Sequence, residues 1–156
     1  MKVTADTNVL VRALTGDDAR QSPIACDVLA KADLVALPLP VLCELVWVLS
    51  QGYGVSSAEI ALAIRRLIDS ENAVVDRPAA EAGLNILDRG GDFADGIIAH
   101  EGEWLGAETF VSFDKKGCET HARSRNAGEG FGLERYPPKD VIPGERSGEP
   151  APARRG

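Results

Sequence analysis

Hydrophobic and polar positions change period repeatedly along this chain, and each change marks an element. Val3 and Ala5 make a two-faced apolar segment of strand length that ends at Asp6. Thr7-Asn8 follows, and then Val9, Leu10, Ala13 and Leu14 recur at helical spacing. Gly16-Asp17-Asp18 reads as a turn and cap. Residues 18–31 read as a helix with Ile24, Val28 and Leu29 inward and Pro23 in its first turn or at a kink. Residues 34–37 make a short buried strand closed by Pro38, and Pro40 suits the first position of the next helix. That helix runs to about Gln51 and is apolar nearly all round, which predicts deep packing.

Gly52-Tyr53-Gly54 ends it, and Ser56 or Ser57 caps a helix with Ile60, Ala61, Ile64, Leu67 and Ile68 at intervals of three and four. Residues 73–75 are a minimal strand, and Pro78 opens a helix that stops at Gly90-Gly91. A further helix covers residues 92–105, with Phe93, Ile97, Ile98 and Trp104 apolar and Gly106 as its C-cap. Residues 109–113 are a strand that ends in Asp114. Strands alternating with helices, without hairpin dipeptides, indicate an α/β fold with a mainly parallel sheet. Periodicity fades after Lys116, and from Pro137 the chain is rich in Pro, Gly and charge. The expectation is one domain over residues 1–136 and a disordered tail over 137–156.

The acids change this picture from fold to chemistry. A strand that runs straight into a helix puts its turn at the carboxyl edge of a parallel sheet, where α/β folds bind ligands. Asp6 occupies that turn, although it also fits a simple N-cap. Glu44 is the only charge between Asp33 and Glu59, set in an apolar run. A carboxylate there needs a cation, a donor network or exposure at a groove. A first- or second-turn Glu favoured by the helix dipole is the plainer reading. Asp92 and Asp95 lie three apart at a helix start; Asp92 suits the cap, and Asp95 suits both a capping partner and a site acid. Asp114 ends its strand as Asp6 does, or else initiates the turn before Lys115-Lys116-Gly117. Together they make an acidic cluster whose like charges repel. Oxygen ligands without neighbouring His or Cys select Mg²⁺ or Mn²⁺. Such ions suit phosphodiester hydrolysis: they hold the phosphate, lower the pKa of a bound water and stabilise the leaving oxygen.

Bulk properties then narrow the setting. The 156 residues are 44% hydrophobic, ordinary for a globular domain. The longest apolar run is interrupted by two prolines and Glu44 and is too short for a membrane span. The N-terminus has no secretory-signal pattern, and Cys26, Cys43 and Cys118 form no CxxC pair, so a cytoplasmic protein is expected. The net charge of −7 argues against nucleic acid until divalent cations on the acids are counted.

Asp6-Thr7-Asn8, Glu44, Gly91-Asp92-Phe93-Ala94-Asp95 and Ser112-Phe113-Asp114 resemble the motifs of PIN-domain ribonucleases, with the VapC-type toxins of prokaryotic toxin–antitoxin pairs nearest. The resemblance covers Met1 to about Lys116. It implies a PIN-like three-layer fold, a mainly parallel central sheet flanked by helices, and metal-dependent RNase activity. Asp6, Glu44, Asp95 and Asp114 are then the metal-binding catalytic acids, with Thr7, Asn8, Asp92 and Ser112 in support. Mg²⁺ or Mn²⁺ is the implied cofactor. RNA substrate, a cognate antitoxin protein and a second copy of the chain are the implied partners.

Three other readings compete. A haloacid dehalogenase-like phosphatase also starts with Asp after its first strand, but Asn8 stands where its acid would be. A response-regulator receiver would want an acidic pair there. A non-catalytic PIN-like module that binds RNA or protein is opposed by the intact set of acids. Weaker signals are Cys118-x-x-His121 as half a zinc site, His100 as a surface or packing residue, and Gly128-Glu-Gly-Phe-Gly132, which follows no strand. Arg12, Arg65, Arg66, Lys115, Lys116, Arg123 and Arg125 are candidate phosphate contacts or solvated charges. Trp47, Val48 and Tyr53 offer a partner surface, with core packing the default.

Overall fold

A computed structural model describes residues 1–112 and the strand Glu134–Tyr136. Three short strands, β1 (Lys2–Thr4), β2 (Leu34–Ala36) and β3 (Ala73–Val74), form a parallel sheet in the order β1-β2-β3. Val3 lies opposite Val35, and Val35 opposite Ala73. Parallel neighbours need long crossovers, and here each crossover is a helix pair. The first is α1 (Thr7–Thr15) with α2 (Gln21–Lys31), and the second is α3 (Leu39–Trp47) with α4 (Ser57–Ile68). Helices α5 (Arg77–Asp88) and α6 (Phe93–Trp104) follow as a hairpin. β4 (Phe110–Ser112) pairs antiparallel with β5 (Glu134–Tyr136) in a separate ribbon, so the last expected strand does not extend the parallel sheet among the described residues. The α/β expectation holds.

One core joins these elements. Leu10, Leu42, Leu45, Ile60, Ile64, Ile68, Leu84 and Phe93 are almost wholly buried, and each aliphatic side chain contributes about 1.5–3 kcal/mol by leaving water. Local signals set the helix starts. Ser56 and Glu59 form a reciprocal capping box at α4, and the Asp76 carboxylate accepts from Ala79 N–H at α5. Among the described residues no helix is long and apolar enough to cross a membrane.

Some inward assignments fail, for identifiable reasons. The carboxylate of Asp18 accepts from the N–H groups of Arg20 and Gln21, so α2 starts later than expected, with Pro23 in its first turn. Its inward stripe is then Ser22 and Ala25, whose small side chains let α2 pack closely on α1, while Ile24 points to solvent. Leu14, Ile98 and Trp104, read from the sequence only as apolar positions of their helices, are exposed. The long apolar helix ends its α-form at Trp47 and widens into a π turn over Val48–Gly52, closed by Tyr53 N–H donating to Val48 O. Leu42, Leu45, Val46 and Leu49 are buried, but Trp47 is 64% exposed, contrary to its assignment to the core.

The loop after the π turn is tied to the end of α1. Tyr53 donates its hydroxyl proton to Asp17 at 2.6 Å, and Arg12 pairs with the same carboxylate. The hydrogen bond from Tyr53, with that from Arg12, lowers the Asp17 pKa to about 2.

Candidate active site

β1 and β2 run parallel, so both deliver the chain to the same edge of the sheet, where α1 and α3 begin. Asp6 occupies the N-cap position of α1, and its carbonyl accepts from Val9 and Leu10 N–H at 3.1 and 3.2 Å. Its carboxylate makes no capping hydrogen bond and is exposed. The simple cap therefore does not account for the acid. Thr7 is buried at 4% exposure, and its hydroxyl donates to Glu44 Oε2 at 2.7 Å. Through that bond the start of α1 grips the middle of α3, against which it packs.

Glu44 is exposed, not buried as its apolar neighbours suggest. It lies on the outward stripe of α3 with Pro40 and Trp47, so water and the Thr7 hydroxyl together relieve the cost of its charge. Asp92 caps α6 by accepting from Ala94 N–H at 2.7 Å, as the plainer reading of that residue has it. Asp95 follows in the first turn, half-buried. The Cys43 thiol pKa is raised first by burial and next by the charge of Asp92. Helix α3, which carries Glu44, contacts both α1, whose N-cap is Asp6, and α6, whose first turn holds Asp95.

A family model described as PIN domain matches residues 3–121. The chain belongs to the PIN domain family. No curated protein and no solved structure matches it. Membership points to nuclease activity in general.

Within this PIN domain, Asn8 is exposed at the second position of α1, and Ser112 ends β4, half-buried. Asp114 lies outside the described residues, as do Lys115, Lys116, Cys118, His121, Arg123, Arg125 and the Gly128-to-Gly132 stretch. Among the described residues no group of three or more Asp, Glu, His or Cys forms a set able to hold a metal. His100 is buried, and its Nε2 accepts the Trp104 indole N–H at 3.1 Å. It is a packing residue and not a surface group.

Two residues that position the site went unread in the sequence. A Cβ on Gly96 would stand 2.5 Å from the Ala82 carbonyl oxygen and 2.8 Å from Gly83 Cα. A Cβ on Gly83 would meet the Phe93 ring at 2.8 Å. The hairpin of α5 and α6 closes only because both positions lack a side chain, and Asp95 is the neighbour of Gly96. The signal was available: glycine inside a helix is unfavourable by roughly 0.5–1 kcal/mol relative to alanine, which calls for a packing reason.

Proposed function

We propose that this PIN domain is a divalent-metal-dependent ribonuclease and the toxin component of a type II toxin–antitoxin pair. The observation that carries the reading is the Thr7–Glu44 hydrogen bond, which binds an exposed acid of α3 to the strand-end turn bearing Asp6. The oxygen-only donors Asp6, Glu44 and Asp95, with Asp114 outside the described residues, suit a hard ion such as Mg²⁺ or Mn²⁺. When bound, such an ion neutralises phosphate charge and lowers the pKa of a water. The protein's own work is positional. Thr7 fixes the Glu44 carboxylate, and Asp92 fixes the first turn of α6 so that Asp95 keeps its place.

Residues 1–112 hold eight Lys and Arg against seventeen Asp and Glu, so a basic antitoxin segment would be drawn across the acidic edge. An Arg or Lys laid there would neutralise the carboxylates and block RNA together. We place the protein in the cytoplasm as a homodimer, with residues 1–136 as the nuclease unit and 137–156 as a tail. The deciding experiment is cleavage of single-stranded RNA with Mg²⁺, with and without excess chelator. Activity that survives chelation undiminished refutes the metal-dependent reading. Titrating a purified antitoxin into the same assay tests the partner. Tight binding that leaves cleavage unaffected refutes the blocking model.

A second reading is a PIN module that binds without cutting. Absence of cleavage in both metals, with RNA binding retained, would select it.

A further inference from the structure

The outward stripe of α3 and the turn that follows it is Pro40, Glu44, Trp47 and Gln51, at helical intervals of four, three and four. On this stripe Glu44 is the acid tied to Thr7, and Trp47 is a large aromatic left 64% exposed. Single exposed apolar residues need no explanation, but the place of this one does. Three residues of helix separate it from Glu44, so its backbone stands about 4.5 Å further along the axis on the same face. An indole there would lie within reach of a base whose phosphate is held at Glu44 through a divalent cation.

Charge sharpens the argument. Phosphate affinity comes mainly from Lys and Arg, and residues 1–112 are strongly acidic, with eight such cations against seventeen acids. Arg12, the cation of α1, is engaged with Asp17. A nucleic acid that approaches this edge needs an attraction other than charge. Stacking supplies one, since every unpaired base has a flat face and stacking on an aromatic side chain tolerates any sequence.

We propose that the Trp47 indole is a base-stacking platform that holds an unpaired base of single-stranded RNA beside the phosphate presented to Asp6 and Glu44. The proposal rests on the nuclease reading for its substrate, and its test reads binding and cleavage separately. Stacking needs a base out of its duplex, so the platform selects single strands. Affinity that comes from stacking also falls less steeply with salt than affinity that comes from phosphate contacts.

The experiment uses the full chain carrying Asp6→Asn, to suppress turnover, and Trp104→Phe, so that Trp47 is the sole tryptophan. It is titrated with a short single-stranded RNA, its duplex, and an abasic strand of equal charge, at two salt concentrations. The single strand is expected to quench Trp47 emission, while the duplex and the abasic strand leave it unchanged. Trp47→Ala is expected to weaken single-strand binding about tenfold, with Trp47→Phe retaining most of it. If Trp104→Phe harms folding, the quench lost on Trp47→Phe in the Trp104-containing chain gives the same reading. Equal quenching by the abasic strand, or undiminished binding by Trp47→Ala, overturns the proposal. So does a Trp47→Ala chain that changes oligomeric state while keeping its RNA affinity, because the occupant is then a second copy. An Asp6-intact chain that cleaves RNA without stacking refutes this inference alone. One that stacks RNA but never cleaves it refutes the nuclease reading alone.

Discussion

The acids of the candidate site arrive by two different routes. Asp6 follows β1 directly, and Glu44 lies on α3, the helix that follows the neighbouring parallel strand β2; the backbone ladder between the two strands sets the start of each following helix. Asp92 and Asp95 follow no strand; a helix hairpin carries them, closed where Gly83, Gly96 and Phe93 touch. The first route depends on main-chain hydrogen bonds that most side chains would allow. The second depends on a contact that admits no extra carbon. The half of the site built by backbone should therefore tolerate neighbouring substitutions that the half built by packing does not.

The most damaging substitution should be at the hairpin. Phe93→Ala empties a wholly buried ring site and is expected to cost about 3–5 kcal/mol, read from the shift in denaturation midpoint. Gly96→Val overfills the same contact and should cost about 1–3 kcal/mol. A Gly96→Val chain as stable as the parent would show that the two helices separate freely, and the contrast between the routes would fall.

At the acids, Asp6→Asn and Asp95→Asn are each expected to lower RNA cleavage about a hundredfold, about 2.7 kcal/mol of barrier, with the fold intact by circular dichroism. Thr7→Val, which removes only the donor to Glu44, should lower it about ten- to a hundredfold, with Thr7→Ser largely restoring it. Equal rates for Thr7→Val and the parent would make the hydrogen bond structural only.

Asp92 separates capping from chemistry. Asp92→Asn keeps an acceptor for Ala94 N–H and should retain most activity, whereas Asp92→Ala should lose about 0.5–2 kcal/mol of stability. An Asp92→Asn chain as inactive as Asp95→Asn would move Asp92 into the reacting set.

The smallest effect lies away from both halves, at Asp17. Its folded pKa of about 2 is below the ordinary 3.8, so its contribution to stability is fully present above 3.8 and is lost as pH falls through 2. Acid titration of the unfolding midpoint should show a decline over that window that Asp17→Asn lacks.

The same contrast explains what the sequence made legible. Strand-to-helix alternation, the caps at Ser56 and Asp92, and the acids at Asp6 and Glu44 are written in local patterns of a few residues. The outward turn of Ile24 was not, because it depends on where the Asp18 cap and Pro23 start α2. Nor was the exposure of Glu44 and Trp47, since an apolar run does not say which stripe of its helix lacks a neighbour. The closing of α5 on α6 is a property of two helices together, visible beforehand only as two glycines in helical surroundings. The Asp114 end of the site lies outside the described residues.

The parallel sheet also sets a sequence of events in time. Val3 finds Val35 only after α1 and α2 have been spanned, whereas Gly83 and Phe93 are neighbours across one tight hairpin. Closing the longer loop costs more chain entropy before any contact rewards it, so the hairpin is expected in the folding nucleus and the β1–β2 pairing after it. Kinetic ratios from Leu84→Ala and Val3→Ala would show this as a high and a low value, and the reverse order would refute it. On that schedule Asp6 reaches its seat after Asp95 does.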